Sequence, residues 1–183
     1  MTFEETNLNG AWVITLSPFI DERGSFVRMF CKDEFAKEGF TDEFVQINHS
    51  TNISKGTFRG LHYQKPPFSE TKLIRCIRGK VFDIIVDIRQ GSGTFLQHFT
   101  IELTPDNSKI LLVPEGFAHG YITLENNSDL VYFHTSFYKP GFENALNYKD
   151  PKLNIQLPIE PKIISDKDKN HQFIHPNFEG IKI

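Results

Sequence analysis

Apolar and polar residues alternate with a period of two through most of this chain, and that pattern restricts it to β structure. Over residues 82–88, one face carries Phe82, Ile84, Val86 and Ile88, and the other Val81, Asp83, Ile85 and Asp87. Over 97–103, Gln97, Phe99, Ile101 and Leu103 share one face, and His98, Thr100 and Glu102 the other. Further strands are predicted at 11–16, 25–30, 44–50, 57–63, 72–78, 110–113, 118–124 and 130–138. Turn chemistry separates them, as in Asp21-Glu22-Arg23-Gly24, Gly91-Ser92-Gly93 and Pro114-Glu115-Gly116. Many short strands with regular turns predict a sandwich or a barrel. One helix is predicted at 33–38, capped by Asp33 and ended by Gly39. After Tyr148 the alternation lapses. Asp150-Pro151, Pro158 and Pro161 predict an irregular tail with room for one helical turn.

The 183 residues suit one domain, 1–183, with a barrel core at about 40–140 and a tail at 150–183. The 18 Phe residues fit sheet packing. A net charge of −3, with both signs interspersed, gives no basic stripe for nucleic acid. An anionic ligand would need a local basic pocket. Cys31 and Cys76 lack metal-ligand spacing, the first residues lack a signal-peptide pattern, and no apolar run approaches the roughly 20 residues of a membrane span. The expectation is a cytoplasmic protein with reduced thiols and no membrane partner.

Three segments carry candidate chemistry. Within 130–138, Tyr132, His134, Ser136 and Tyr138 share a face, and such a face either meets water or lines a barrel cavity. In Arg59-Gly60-Leu61-His62-Tyr63-Gln64, Arg59 and His62 lie three apart and would point to opposite faces of a regular strand. A bulge at Gly60 would bring both into one cavity. Alone, His62 reads as a structural histidine. Pro114-Glu115-Gly116-Phe117-Ala118-His119-Gly120 is similar to the second motif of cupins, which are double-sheet jelly-roll barrels. The first cupin motif supplies His-x-His as metal ligands, and here the place reads His62-Tyr63-Gln64. Two histidines without a third ligand at the right spacing make a poor metal site, so no metal is expected.

Taken in order, the motifs resemble the dTDP-4-dehydrorhamnose 3,5-epimerase family. They are Asp21-x-Arg23-Gly24-x-Phe26, Phe44-Val45-Gln46-x-Asn48-x-Ser50, Arg59-Gly60-Leu61-His62-Tyr63-Gln64, Lys72-Leu73, Val86-Asp87-x-Arg89 and Pro114-x-Gly116-Phe117-Ala118-His119-Gly120. Tyr132, Tyr138, Asp150-Pro151 and Ser165-x-Lys167-Asp168 complete the pattern. The resemblance implies an all-β, cupin-like double-stranded β-helix with a few short helices. It also implies a cofactor-free epimerase of a nucleotide-linked 4-keto sugar. The keto group acidifies the C–H bonds at C3 and C5, so a base, an opposed acid and cations for the enolate suffice.

By resemblance, His62 is the base, Asp168 its orienter, Tyr132 the acid, and Lys72 the enolate partner, with Arg59 and His119 around them. Lys72 and Arg59 compete for a second role on the pyrophosphate. Tyr138 would stack on the nucleotide base, while Gln46, Asn48, Glu143 and Lys167 match ligand-contacting positions. Arg23 matches a residue that the neighbouring subunit supplies in a homodimer with swapped N-terminal strands. The plainer readings are a solvated charge run or helix cap for Asp168, an exposed strand lysine for Lys72 and a turn residue for Arg23. Two departures bear on nucleotide choice: Arg28 stands where the family commonly has Glu, and Ile47 where Asp is common. The preferred reading is 3,5-epimerisation of dTDP-4-dehydro-6-deoxy-D-glucose to dTDP-4-dehydro-L-rhamnose. Its rivals are a single-centre epimerase or another nucleotide sugar, a metal-dependent cupin enzyme, and a non-catalytic sugar-nucleotide-binding module.

Overall fold

In a computed structural model describing all 183 residues, the alternating segments form strands. In chain order they are β1 (Thr2–Glu5), β2 (Trp12–Thr15), β3 (Phe19–Asp21), β4 (Gly24–Phe26), then helix α1 (Lys32–Lys37), β5 (Gln46–Asn52), β6 (Thr57–Gln64), β7 (Lys72–Arg78) and β8 (Val81–Asp87). There follow β9 (His98–Leu103), β10 (Lys109–Val113), β11 (Phe117–Thr123), β12 (Ser128–His134), β13 (Glu143–Ala145), β14 (Ile163–Ile164) and helix α2 (Asp166–Lys169). One sheet has the order β1-β2-β10-β7-β12-β5, and a second β13-β6-β11-β8-β9, with β14 pairing β6 in parallel. This is the cupin-like all-β architecture. β2 lies inside the first sheet, so the sheets reach beyond residues 40–140 at both ends. The β3–β4 hairpin joins neither sheet.

Three predicted elements differ. Helix α1 has Cys31, not Asp33, at its N-cap, with no side-chain cap. Asp33 and Glu34 sit in the first turn, where their charges favour the helix's positive end. The strand predicted at 25–30 stops at Phe26. The strand predicted at 130–138 stops at His134, because both of its neighbours start there: His134 pairs Lys72 on one side and Gln46 on the other. Tyr138 therefore leaves the face it would share with Tyr132.

The two faces of each strand feed different cores. On β8, Val81 and Ile85 point between the sheets, with Ile74, Leu111, Phe117 and Leu130. Ile84 and Val86 point outward, where the C-terminal tail covers them with Leu146, Tyr148, Leu153 and Ile174. The tail is thus a packed layer despite its irregular backbone. The outer face of the first sheet is covered by aromatics: Phe3, Phe30, Phe40, Phe44 and Phe133 surround the buried Phe35 of α1. Their rings meet mostly edge to face, at centroid distances of 4.8 to 5.8 Å. That layer accounts for much of the Phe content. Cys76 is buried between the sheets, where burial pushes its thiol up to about 11.

The expected bulge is present. His119 pairs His62 and Tyr121 pairs Arg59, so three steps on β6 oppose two on β11. The extra residue puts Arg59 and His62 on one face. Gly60 has φ +140°, and a Cβ there would lie 2.5 Å from the Gly120 Cα. A Cβ on Gly120 would lie 2.7 Å from the Arg59 carbonyl oxygen. Gly60→Ala should therefore lower unfolding free energy by at least about 2 kcal/mol, combining glycine-only backbone strain with a backbone clash. Denaturant titration checks this, and an unchanged midpoint would rule out the tight crossing.

Candidate active site

A cavity of about 270 Å³ opens between the sheets. β6 and β11 of one sheet supply Arg59, His62, His119 and Tyr121. β5, β7 and β12 of the other supply Asn48, Ser50, Lys72, Tyr132 and His134. A second cavity of about 220 Å³ shares His62 and Lys72 and adds Gln64, Glu70, Tyr138, Glu143 and Lys167. A larger hollow of about 490 Å³ lies elsewhere, around Arg89 and the 91–94 turn. It holds no opposed acid and base, and its guanidinium is already paired with Asp87 at 2.7 Å.

On the β6 wall, His62 Nε2 lies 2.7 Å from Asp168 Oδ1. An ionised carboxylate only accepts, so the ring hydrogen sits on Nε2 and the free lone pair is on Nδ1. Asp168 is buried at 4% exposure, which excludes the solvated reading. Helix α2 delivers it: Ser165 caps the helix by accepting from the Asp168 N–H at 3.1 Å. Burial alone would raise the Asp168 pKa. The His62 hydrogen bond and charge, the Gly60 N–H at 3.4 Å and nearby His171 outweigh it and hold the carboxyl below its ordinary range.

Tyr132 faces His62's wall from the other sheet, its ring 5.9 Å from that of His119. Burial, then Tyr121 and Asp83, push its phenol well above 10. His119 Nε2 donates to Asp83, 3.0 Å from each carboxylate oxygen. Burial pulls the His119 pKa down despite Asp83, so neutral imidazole is favoured there. Arg59 Nε donates to Asn52 Oδ1 at 3.0 Å, which also accepts from Tyr121 at 3.1 Å.

Lys72 starts a chain of directed hydrogen bonds. Its ammonium lies 3.3 Å from Glu70 Oε1, and His134 Nδ1 donates to Glu70 Oε2 at 2.8 Å. His134 Nε2 must then accept from Asn48 Nδ2, at 3.2 Å. Gln46 Nε2 donates to Asn48 Oδ1 at 3.3 Å, and the Tyr138 N–H donates to Gln46 Oε1 at 3.0 Å. The sequence positions Gln46, Asn48, Lys72 and Tyr138 are thus joined across both cavities. Burial of Glu70 raises its pKa, but His134 and Lys72 more than reverse this and keep it ionised. Glu143 and Lys167 form an ion pair at 3.6 Å beside Tyr138.

Gln46 and Asp168 line neither cavity but are hydrogen-bonded to residues that do, whereas Arg23 lies apart from both cavities. It is exposed on the β3–β4 hairpin and paired with Asp21. Sequence reading did not single out Asp83, Glu70, Tyr121 or His171. Asp83 had left a signal, a carboxylate on the Val81–Ile85 face, and His134 another on the face of Tyr132. Glu70 and His171 lie outside any periodic segment and left none. Gln64 is occupied in holding the neighbouring loop: its amide donates to the Phe68 and Phe137 carbonyls and accepts from the Lys139 N–H. It cannot replace the second cupin histidine.

A family model described as dTDP-4-dehydrorhamnose 3,5-epimerase matches residues 5–175. The chain belongs to this epimerase family. The dTDP-4-dehydrorhamnose 3,5-epimerase of Shigella flexneri is 39% identical over 173 residues, 94% of this chain and 95% of the relative. The Bacillus anthracis epimerase, solved with TDP and pyrophosphate bound, superposes with a TM-score of 0.92 at 38% identity, covering 94% of this chain and 99% of that one. The Legionella pneumophila epimerase, solved with dTDP-4-keto-L-rhamnose, gives 0.90 at 36% identity, covering 94% and 92%. On opposite walls of its cavity the chain presents the Tyr132 phenol and the His62 imidazole. An acid works protonated, so a Tyr132 pKa raised well above 10 extends its range upward. The rate against pH should show no loss assignable to Tyr132 ionisation up to pH 10, and Tyr132→Phe should remove most of the turnover. An alkaline limb near pH 8 that disappears in Tyr132→Phe would contradict the buried phenol.

Proposed function

We propose that this chain epimerises dTDP-4-dehydro-6-deoxy-D-glucose at C3 and C5 to give dTDP-4-dehydro-L-rhamnose. The observation that carries the reading is His62 and Tyr132 on facing sheets of one cavity, each with a fixed role. His62 Nδ1 removes the proton beside the C4 carbonyl, and the electron pair passes to the carbonyl oxygen as an enolate. Lys72 and Arg59 offer that oxygen positive charge, and Asp168 stabilises the imidazolium. Tyr132 returns a proton to the opposite face, which inverts the centre. Before the second centre reacts, the His62 imidazolium gives its proton to water and the phenolate, disfavoured by burial, takes one from water. The cavity around Tyr138, Glu143 and Lys167 suits the nucleotide, with Lys72 between it and the sugar.

Heavy water tests the double inversion. Deuterium should enter at both C3 and C5, and label at one carbon alone would establish a single-centre epimerase instead. His62→Ala should cut turnover by about 10³-fold, the scale of a lost general base, while dTDP still binds. Unchanged turnover would remove His62 from the role.

A homodimer with an exchanged β3–β4 arm completes the reading. Phe19, Ile20 and Phe26 on that hairpin are 64 to 76% exposed, a group of bulky apolar side chains that this chain alone leaves in water. Arg28 is occupied by Glu34 at 2.9 Å within its own chain. The free thiols of Cys31 and Cys76 suit a cytoplasmic enzyme, and no helix is long and apolar enough to cross a membrane. Sedimentation should give a dimer. Arg23→Ala should raise KM about tenfold with kcat nearly kept, the signature of lost binding contact; a monomer indifferent to Arg23→Ala would refute the exchanged arm.

A further inference from the structure

His62 also belongs to a second constellation. Asp168 Oδ1 lies 2.7 Å from His62 Nε2 and 3.5 Å from His171 Nε2. The three ligand-capable atoms all fall within 4.8 Å of one another. His171 Nε2 is buried and makes no hydrogen bond, although its residue is held in place through a carbonyl that accepts from Asn147 Nδ2 at 2.7 Å. A buried ring nitrogen without a partner, beside a carboxylate, is an unused ligand atom.

Small shifts would bring the three atoms to the spacing of a small tetrahedral cation. Bonds of the length zinc makes to imidazole and carboxylate put neighbouring donor atoms about 3.4 Å apart. The Asp168–His171 separation already matches. The His62–Asp168 pair would open by about 0.7 Å to reach that spacing. The His62 side chain is 43% exposed toward the cavities and has room to turn. Two imidazoles and a carboxylate are ligands that zinc accepts, and water can fill a fourth position. These ligands come from β6 and the tail, so they are not the cupin set. The sequence shows no such spacing because 106 residues separate His62 from Asp168.

We propose that His62, Asp168 and His171 form an inhibitory site for a zinc-type divalent cation. The proposal rests on His62 as the base. A cation at Nε2 takes the lone pair there, so the ring hydrogen leaves Nε2 and a hydrogen from water occupies Nδ1. The imidazole stays neutral and no net proton is released. Nδ1 then carries a hydrogen and cannot abstract one from the sugar, while Asp168 gives its charge to the cation.

The test is calorimetric titration of metal-free full-length protein with zinc chloride, with cobalt's visible absorption reporting the ligand geometry. One ion per chain should bind, with affinity reduced at least about 100-fold in both His171→Phe and His171→Gln. Zinc should lower wild-type turnover more than tenfold, a chelator should restore it, and each variant should keep its own metal-free rate in zinc. No stoichiometric binding, or binding undiminished in both folded variants, overturns the site. Binding needs no turnover, so a chain that takes zinc through His171 yet converts no sugar would reject the epimerase reading and leave the site standing. An active enzyme indifferent to zinc would reject the site alone.

Discussion

Gly60 and Gly120 let β6 and β11 approach more closely than any side chain would allow, and the site depends on that crossing. The extra residue on β6 turns Arg59 and His62 to the same side, opposite His119 and Tyr121. In a regular ladder one of the pair would point into the tail-covered outer core, where a charged or basic group would be buried without a partner. The same bulge leaves the Gly60 N–H free to face Asp168. Backbone geometry at one residue thus sets both the contents of the cavity and the attachment of the carboxylate that holds the His62 ring.

Three of the cavity's histidines each hydrogen-bond a carboxylate: His62 with Asp168, His119 with Asp83 and His134 with Glu70. The pairing solves a common problem, since carboxylates this deeply buried are unfavourable unless hydrogen-bonded. It also assigns tautomers. His62 offers a lone pair at Nδ1, and His134 accepts at Nε2 from Asn48. Burial separates the remaining groups further, keeping the Tyr132 phenol protonated and His119 neutral. One environment therefore maintains a free imidazole lone pair on one wall and a protonated phenol on the other.

Much of this was legible because strands encode their faces locally. The Phe82/Ile84/Val86/Ile88 alternation specified an outward face and placed Asp83 inward. The Tyr132/His134 face specified a polar lining. Legibility failed where structure is not periodic. The end of β12 depends on where β5 and β7 begin, which the alternation through Tyr138 does not record, and Asp33 suits the first turn of α1 as well as its cap. Glu70 and His171 sit in loops, and nothing in their immediate neighbours marks them as partners of Lys72 and Asp168.

The sequence by itself determined the all-β class, the strand faces, the Gly60 bulge and, through its ordered motifs, the epimerase family. These are local or near-local properties, set by side-chain period and by where only glycine fits. Tertiary structure decided that Asp168 is buried against His62 rather than solvated, that Lys72 shares Glu70 with His134, and that the irregular tail is a core layer. Each of those depends on residues far apart in the chain meeting at hydrogen-bonding distance, and no local pattern records which distant segment will cover which face.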